Sequence, residues 1–354
     1  MDPRFLFIFL WAILTVGCSE NAVTENPEDP EPYTALRSVA PFPVGVAIQS
    51  GRLGSGPHSG VVRTVFNSVT AEYEMKMRHL TSASGSYIWT HADQLVAFAN
   101  EHDMQVHGHA LVWHQSTPAW LENFSGTDME FEDAVKDYIT TVVQRYQDDV
   151  VSWDVINEAF EDGSGELRNS VFRRRMGPDF IARLFQYTRE ADPDVLLFYN
   201  DYGTIWDMAK LESMLAMVDD LQARGIPIDG VGLQMHITYT HPPLSNIVAV
   251  MDAVVQRGLK IHISEMDVRV NPQGDLSVLT DERSQLQKER VNETVAAFMD
   301  LPQENQFAIT WWGLRDPESW LIDFWGNPEW GLLFDAEYQP KPAYEGFLEA
   351  LRGN

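Results

Sequence analysis

Two glutamates, Glu158 and Glu265, are the residues of this chain whose type and position best suit acid–base chemistry. Each lies at the end of a segment rich in apolar and β-branched residues, as in a buried strand. Carboxylates at the C-terminal tips of parallel strands lie where α/β barrels hold their catalytic groups. Cleavage of a glycosidic bond needs such a pair, one acid that protonates the leaving oxygen and one carboxylate that attacks or activates water.

The neighbours of the two glutamates predict different roles for them. Asp267 lies two residues past Glu265 on the same strand face, and His236 ends the adjacent strand candidate. We expect this histidine–carboxylate pair to orient Glu265 and keep it ionised as the nucleophile. Glu158, close to that negative charge, is expected to hold its proton longer and to act as general acid and then as base. Asn157 offers an amide to a substrate hydroxyl.

The elements that must position these groups alternate regularly from Phe42 onward. Helical patterns such as 131–146 and 208–221 separate short strand candidates, and Gly225 and Gly258 follow helical patterns as C-terminal stops. The strand candidates are 44–49, 66–70, 105–113, 151–158, 195–202, 230–236, 260–268 and 307–314. Eight such units predict a single closed (β/α)8 TIM barrel over residues 41–354. A doubly wound open sheet is the alternative, but no Gly-rich phosphate loop follows the first strand, and no cofactor is expected.

The composition excludes some partners and favours others. The chain has 354 residues and a formal net charge of −27, so nucleic acid, which requires a basic face, is not an expected partner. Eleven tryptophans, many near strand ends, suit the apolar faces of sugar rings. The excess of acidic residues is explained equally by a surface adapted to salt and by an ordinary acidic secreted protein.

The N-terminal segment predicts export. Residues 1–17 are typical of a signal segment, with an apolar run too short to span a bilayer in the mature protein. Cys18, the only cysteine, follows small residues and predicts a bacterial lipoprotein site at which the thiol receives the lipid; plain secretion is the alternative. Residues 18–40 are acidic and Pro-rich, which predicts a tether. The protein is thus expected at the cell envelope, in contact with the membrane only through this anchor.

Three histidines offer a competing chemistry. His107 and His109 share a strand face and His114 is near, which leaves a zinc hydrolase as a second enzyme hypothesis. No ligand set with a bridging aspartate or lysine accompanies them, and no metal site is predicted. His109 is assigned to a sugar hydroxyl, and His107 and His114 to packing around the site.

Ordered motifs across the domain resemble one family. From about Pro43 to Leu351 the chain resembles glycoside hydrolase family 10, the endo-β-1,4-xylanases. The segments that carry the resemblance are 66–70, Glu72 with Lys76, 107–114, 153–158, 198–202, 230–236, 263–267, 312–316 with Ser319 and Trp320, and 341–344.

The resemblance implies cleavage of internal β-1,4 bonds of xylan with retention, Glu158 being the acid/base and Glu265 the nucleophile supported by His236 and Asp267. It also implies which side chains contact substrate. Those positions are Glu72, Lys76, His109, Trp113, Asn157, Gln234, His236, Trp312 and Trp320, to which Tyr202 at the fifth strand tip is added.

The chain departs from the family pattern at three neighbouring positions. Tyr73 replaces an asparagine, Met77 replaces a tryptophan, and Ser116 stands where the family has glutamine. The asparagine and glutamine normally contact the second sugar on the glycone side, so a decorated xylan or another β-1,4 glycan is also a possible substrate. A β-1,4-glucanase on the same machinery and a non-catalytic tethered glycan-binding protein are the alternatives. A monomer is expected.

Overall fold

Eight parallel strands close into a barrel in the computed structural model, which describes residues 33–353. The strands are β1 Val44–Ile48, β2 Ser68–Ala71, β3 Gln105–Gly108, β4 Val150–Asn157, β5 Leu196–Asp201, β6 Gly230–Leu233, β7 Lys260–Arg269 and β8 Gln306–Trp311. Each pairs with the next, and β8 pairs with β1. The predicted (β/α)8 barrel is therefore confirmed.

A helix follows each strand and covers the outside of the barrel. These helices are α1 Pro57–Val65, α2 Thr90–Glu101, α3 Asp128–Arg145, α4 Phe180–Ala191, α5 Met208–Ala223, α6 Leu244–Val255, α7 Asp281–Met299 and α8 Pro342–Arg352. Short helices lie at Met77–Leu80, Ala119–Glu122, Val171–Met176 and Trp320–Trp325, and a hairpin pairs Thr81–Ala83 with Ser86–Tyr87.

The helical pattern at 131–146 corresponds to α3, which buries Phe131, Val135, Ile139 and Val142 at helical spacing. Thr127 and Glu130 form a capping box at its start, which satisfies two backbone N–H groups. Gly225 and Gly258 follow α5 and α6 in left-handed conformations, with φ of +66° and +69°, as predicted for helix stops.

Two predicted strands are interrupted in the structure, although their apolar pattern is continuous. The candidate 105–113 ends at Gly108 and resumes at Val112–Trp113, which pairs with β4. The candidate 230–236 ends at Leu233 and resumes at His236–Thr238 beside β7. Met235, with φ of +60°, breaks the extended backbone in the second interruption. Both interruptions lie toward the C-terminal ends of the strands, and the resumed segments carry Trp113 and His236.

An aromatic cluster fills the N-terminal half of the barrel interior. The ring centroids of His107 and His262 are 4.6 Å apart, and those of Phe198 and Phe307 are 4.7 Å apart. His262 Nε2 lies 2.8 Å from the Thr310 hydroxyl. Burial lowers the pKa of His262 well below its usual value, so this imidazole is neutral. The barrel centre is thus a packed floor beneath the cleft.

The N-terminal segment joins the barrel before the predicted tether boundary at residue 40. Leu36 is fully buried, and the Tyr33 ring packs against Phe334 and Tyr344. The Tyr344 hydroxyl donates a 2.8 Å hydrogen bond to the Thr34 carbonyl. The predicted signal segment, Cys18 and most of the tether lie outside the described residues. Within residues 33–353, no helix combines the length and hydrophobicity needed to cross a membrane.

Candidate active site

Glu265 lies on β7 at the C-terminal face and is 5% exposed. His236 Nε2 is 3.3 Å from Glu265 Oε2, and His236 Nδ1 is 2.8 Å from Asp267 Oδ2. Asp267 Oδ2 also accepts a 2.9 Å hydrogen bond from Trp320 Nε1. The structure therefore assembles the histidine–carboxylate pair that the sequence placed beside Glu265.

These contacts set the charge on both groups. Burial by itself lowers the pKa of His236, but Asp267 and Glu265 reverse this and raise the pKa to about 10. Burial by itself raises the pKa of Glu265, but the hydrogen bond from His236 and the surrounding positive charge, including Lys76, hold the pKa of that carboxyl below its usual value. Glu265 is thus an ionised carboxylate facing a protonated imidazole.

Two of the three histidines considered as zinc ligands, His107 and His109, converge on one carboxylate instead. His109 Nδ1 and His107 Nε2 lie 2.8 Å and 3.0 Å from Asp154 Oδ2. Burial opposes ionisation of Asp154, but the two imidazoles outweigh it and lower the pKa of this carboxyl. Asp154 thereby orients His109, whose Nε2 lies 3.9 Å from Glu265 Oε1. Over residues 33–353, no three His, Cys, Asp or Glu side chains are grouped to hold a metal ion.

Glu158 lies at the C-terminal end of β4, is 7% exposed and accepts hydrogen bonds from neutral donors. Trp113 Nε1 donates to Oε2 at 3.0 Å, while Gln234 Nε2 and Asn157 Nδ2 donate to Oε1 at 3.2 and 3.3 Å. Three residues predicted to contact substrate therefore also hold Glu158. The two glutamates differ in their surroundings, since Glu265 faces charged groups and Glu158 faces an indole and two amides.

One amide, Asn200 on β5, connects the two glutamate sites. Asn200 Nδ2 donates to Glu265 Oε1 at 2.8 Å and to Asn157 Oδ1 at 3.0 Å, and Asn157 in turn donates to Glu158. Ser264 Oγ donates to Asn200 Oδ1 at 2.6 Å and fixes the orientation of the amide. The sequence placed Asn200 at a strand tip but assigned it no role. Its position at the end of β5, next to the strand that precedes Glu158 and two strands from that of Glu265, was the available signal.

A cation and aromatic rings form a wall of the cleft. Lys76 Nζ lies 4.7 Å from the ring centroid of Trp113, 5.6 Å from that of Trp312 and 5.2 Å from that of Tyr73. Burial lowers the pKa of Lys76, although the nearby glutamates oppose this. Trp312 packs edge-on against His109, with ring centroids 5.3 Å apart. The predicted contacts Lys76, His109, Trp113 and Trp312 are thus brought together beside the glutamate pair.

Comparison with known proteins identifies the family of this chain. The family model for glycosyl hydrolase family 10 matches residues 35–350. The chain belongs to this family. Endo-β-1,4-xylanase Xyn10C of Cellvibrio japonicus is 39% identical over 371 aligned positions, which cover 96% of this chain and 60% of that protein. An endo-1,4-β-xylanase of Geobacillus stearothermophilus is 38% identical, covering 86% of this chain and 94% of that one.

A solved structure shares the family 10 barrel. Mutant xylanase 10C from Cellvibrio japonicus in complex with xylopentaose superimposes with a TM-score of 0.86 and 39% identity, covering 90% of this chain and 69% of that chain. The chain spans about 60% of the length of the full-length relative Xyn10C.

The three departures from the family 10 pattern have different exposures. Tyr73 is 41% exposed at the cleft rim, next to Glu72, whose Oε2 accepts a 2.9 Å hydrogen bond from Gln49 Nε2. Met77 is 1% exposed in the core, and Ser116 is 4% exposed. Of the three, only Tyr73 therefore offers a large exposed side chain to a ligand in the family 10 cleft.

Tyr202 differs from the other predicted contacts. Its hydroxyl donates to Asp162 Oδ2 at 2.6 Å and accepts from Arg168 Nη2 at 3.0 Å. Lys210 Nζ lies 3.6 Å from the centroid of its ring. Protein groups thus engage the hydroxyl and one face of the ring. Asp162 and Arg168 were not identified from the sequence, since they lie in a polar loop with no periodic pattern.

Proposed function

We propose that this chain is an endo-acting, retaining β-1,4-xylanase. The observation that carries the proposal is the pair of buried glutamates with opposite surroundings. Glu265 is held ionised by a cationic histidine, and Glu158 is held by neutral donors. Such a pair suits double displacement at an anomeric carbon. The names of the family 10 relatives support xylan as the substrate.

In the first step, Glu265 attacks the anomeric carbon while Glu158 gives its proton to the departing glycosidic oxygen. The bond between that oxygen and the anomeric carbon breaks, and a covalent glycosyl–Glu265 ester forms. In the second step, Glu158, now a carboxylate, takes a proton from water as the water oxygen displaces Glu265. Two inversions at the same carbon give net retention.

The surrounding side chains hold the sugar for this reaction. Lys76 and His109 offer polar groups to ring hydroxyls, while Trp312 and Trp320 offer aromatic faces to the ring. The exposed ring of Tyr73 supports stacking on the second glycone sugar, in place of the polar contacts that the family pattern implies there. This arrangement favours a substrate bound at that position through its ring face rather than its hydroxyls.

Proton NMR of xylohexaose during early hydrolysis by the purified protein tests the proposal. We expect β-anomeric reducing ends first, followed by slow mutarotation, and loss of turnover in Glu265→Gln. Glu304→Gln, a change at an exposed glutamate, serves as the control and should retain activity. Early α-anomers would overturn the nucleophile assignment. Faster cleavage of soluble cellulose derivatives than of xylan would identify a glucanase, and binding without turnover would identify a glycan-binding protein.

We propose further that the protein is exported, lipid-modified at Cys18 and monomeric. A lone cysteine after an apolar segment and an acidic Pro-rich stretch support the anchor. Expression of the full chain in a bacterial host with an alkyne fatty acid should label the wild type in the membrane fraction but not Cys18→Ser. Unlabelled protein in the medium would indicate plain secretion. Light scattering should give the mass of one chain.

A further inference from the structure

The backbone of Glu158 adopts an uncommon conformation. Its φ is +55°, in the left-handed region that a residue with a side chain rarely adopts. The Glu158 N–H donates to the Asn200 carbonyl at 2.9 Å, and the next N–H, of Ala159, donates to the Tyr199 hydroxyl at 3.2 Å. These two bonds fix the N–H groups on either side of the turn. The Glu158 carbonyl requires a partner of its own.

Arg168 supplies that partner. Its Nε donates to the Glu158 carbonyl at 3.0 Å, its Nη2 to the Tyr202 hydroxyl at 3.0 Å, and its Nη1 to Glu161 Oε2 at 2.9 Å. The guanidinium thus ties the loop after β4, which follows Glu158, to the loop after β5, which carries Tyr202. A planar group with several donors in fixed directions suits this task, and a lysine does not reproduce it.

A buried lysine, Lys210, supports the contact between these two loops from the other side. Lys210 is fully buried, and its Nζ lies 2.8 Å from Asp201 Oδ1 and 2.9 Å from Asp162 Oδ1. Asp162 Oδ2 in turn accepts the hydroxyl proton of Tyr202. Tyr202 is therefore held between Arg168 and Asp162. The chain of contacts runs from the fully buried Lys210 to the carbonyl of Glu158.

We propose that Arg168, oriented by Tyr202, is a positioning residue for the acid/base Glu158. The inference rests on the acid/base role proposed for Glu158. Loss of Arg168 leaves the carbonyl of a strained turn unpaired, so the turn relaxes and the Glu158 carboxyl moves away from the glycosidic oxygen. Glu265 is held by His236, which Asp267 orients and which makes no contact with Arg168 or Tyr202, and Glu265 keeps its place. Protonation of the leaving group is then impaired while nucleophilic attack is not.

Substrates that differ in their need for protonation test this division. Xylohexaose releases an alcohol and needs the acid, whereas 2,4-dinitrophenyl β-xylobioside releases a phenolate and does not. For Arg168→Ala, we expect kcat/KM on xylohexaose to fall about 10- to 100-fold, which is at or below the lower end of the contribution that a general acid makes. We expect kcat/KM on the aryl substrate to stay close to the wild-type value. Arg174→Ala removes an exposed arginine nearby and should leave both values unchanged.

Azide gives an independent readout of the second step. Azide displaces Glu265 from the anomeric carbon without giving up a proton, so it needs no base. With the aryl substrate, azide should raise kcat of Arg168→Ala and yield β-xylobiosyl azide, and it should leave the wild-type kcat unchanged. Tyr202→Phe, which removes only the hydroxyl, should show the same substrate pattern to a smaller degree, and it tests the proposal if Arg168→Ala does not fold.

Three outcomes would overturn the inference. Equal losses on both substrates would mean that Arg168 supports the whole cleft, and no loss on either would mean that it positions nothing. A higher KM of Tyr202→Phe on both substrates, with kcat unchanged, would assign Tyr202 to substrate binding. Failure of the wild type on both substrates would instead refute the proposed function itself.

Discussion

Replacing His236 by glutamine tests whether the charge of this side chain keeps Glu265 ionised. Glutamine places a neutral amide donor near the position of Nε2, so a hydrogen bond to Glu265 Oε2 can remain while the positive charge is lost. The bond to Asp267, which together with Glu265 raises the pKa of His236 to about 10, is lost with the charge. Asp267 then lies near Glu265 without a cation between them. Both changes raise the pKa of Glu265.

The expected rise in the pKa of Glu265 follows from the energies of these contacts. A hydrogen bond to a charged group contributes about 1.5–3 kcal/mol, and we place the cationic imidazole at the upper end of this range and the neutral amide at the lower end. The difference, about 1–1.5 kcal/mol, corresponds to about one pKa unit at 1.36 kcal/mol per unit. Glu265 attacks as a carboxylate, so activity is present above its pKa and lost as pH falls through it. The acidic limb of kcat/KM should therefore move about one pH unit higher.

Initial rates on xylohexaose, measured from pH 3 to pH 9 for wild type and His236→Gln, give the two limbs. His91→Gln, a change at an exposed histidine on α2, is the matched control and should leave the profile unchanged. Circular dichroism at each pH separates the titration from unfolding. A lower rate with an unmoved acidic limb would refute the argument, since it would show that His236 orients Glu265 without affecting its charge.

Three further outcomes are expected. Trp113→Phe removes the 3.0 Å hydrogen bond to Glu158, which is worth about 1.5–3 kcal/mol. We therefore expect kcat on xylohexaose to fall roughly 10- to 100-fold, and an unchanged kcat would contradict the role of that bond. In Gly232→Ala the added methyl would overlap Asn200, so kcat and the melting temperature should both fall; wild-type values for both would show that Asn200 adapts. Burial raises the pKa of Glu329 to about 7, so wild type loses stability as pH rises through that value. Glu329→Gln should therefore gain stability relative to wild type between pH 5 and pH 8 in urea unfolding, and a relative loss over that range would contradict the sign.

The two glutamates were identifiable from sequence because a strand that ends in a carboxylate leaves a local pattern. Their supporting groups were only partly identifiable, since support comes from neighbouring strands. Asp154 orients His109 because β3 and β4 pair in one particular register, with Gly108 opposite Trp153. A single sequence gives the strands but not the register between them. Asn200 went unassigned for the same reason.

The departures from the family pattern at Met77 and Ser116 illustrate a second property that a single sequence does not give, the exposure of a side chain. The sequence identifies both as changed positions of a sugar-binding segment, but the structure buries them, and only Tyr73 is exposed. Exposure is a property of the packed chain and leaves no local pattern. The interruptions of the third and sixth strand candidates were missed because their apolar residues continue through the break, as in Leu111 and Met235, which pack in the core.

His262, in the aromatic cluster beneath the cleft, also provides a natural spectroscopic reporter. His262 is fully buried and hydrogen-bonded to Thr310, and its neutral imidazole has one tautomer for each direction of that bond. A ring proton so enclosed exchanges with water only when the barrel opens. The exchange rate of its downfield proton resonance therefore measures how often the barrel strands open, in unlabelled protein. The same resonance would show whether a sugar bound in the cleft above His262 slows this opening.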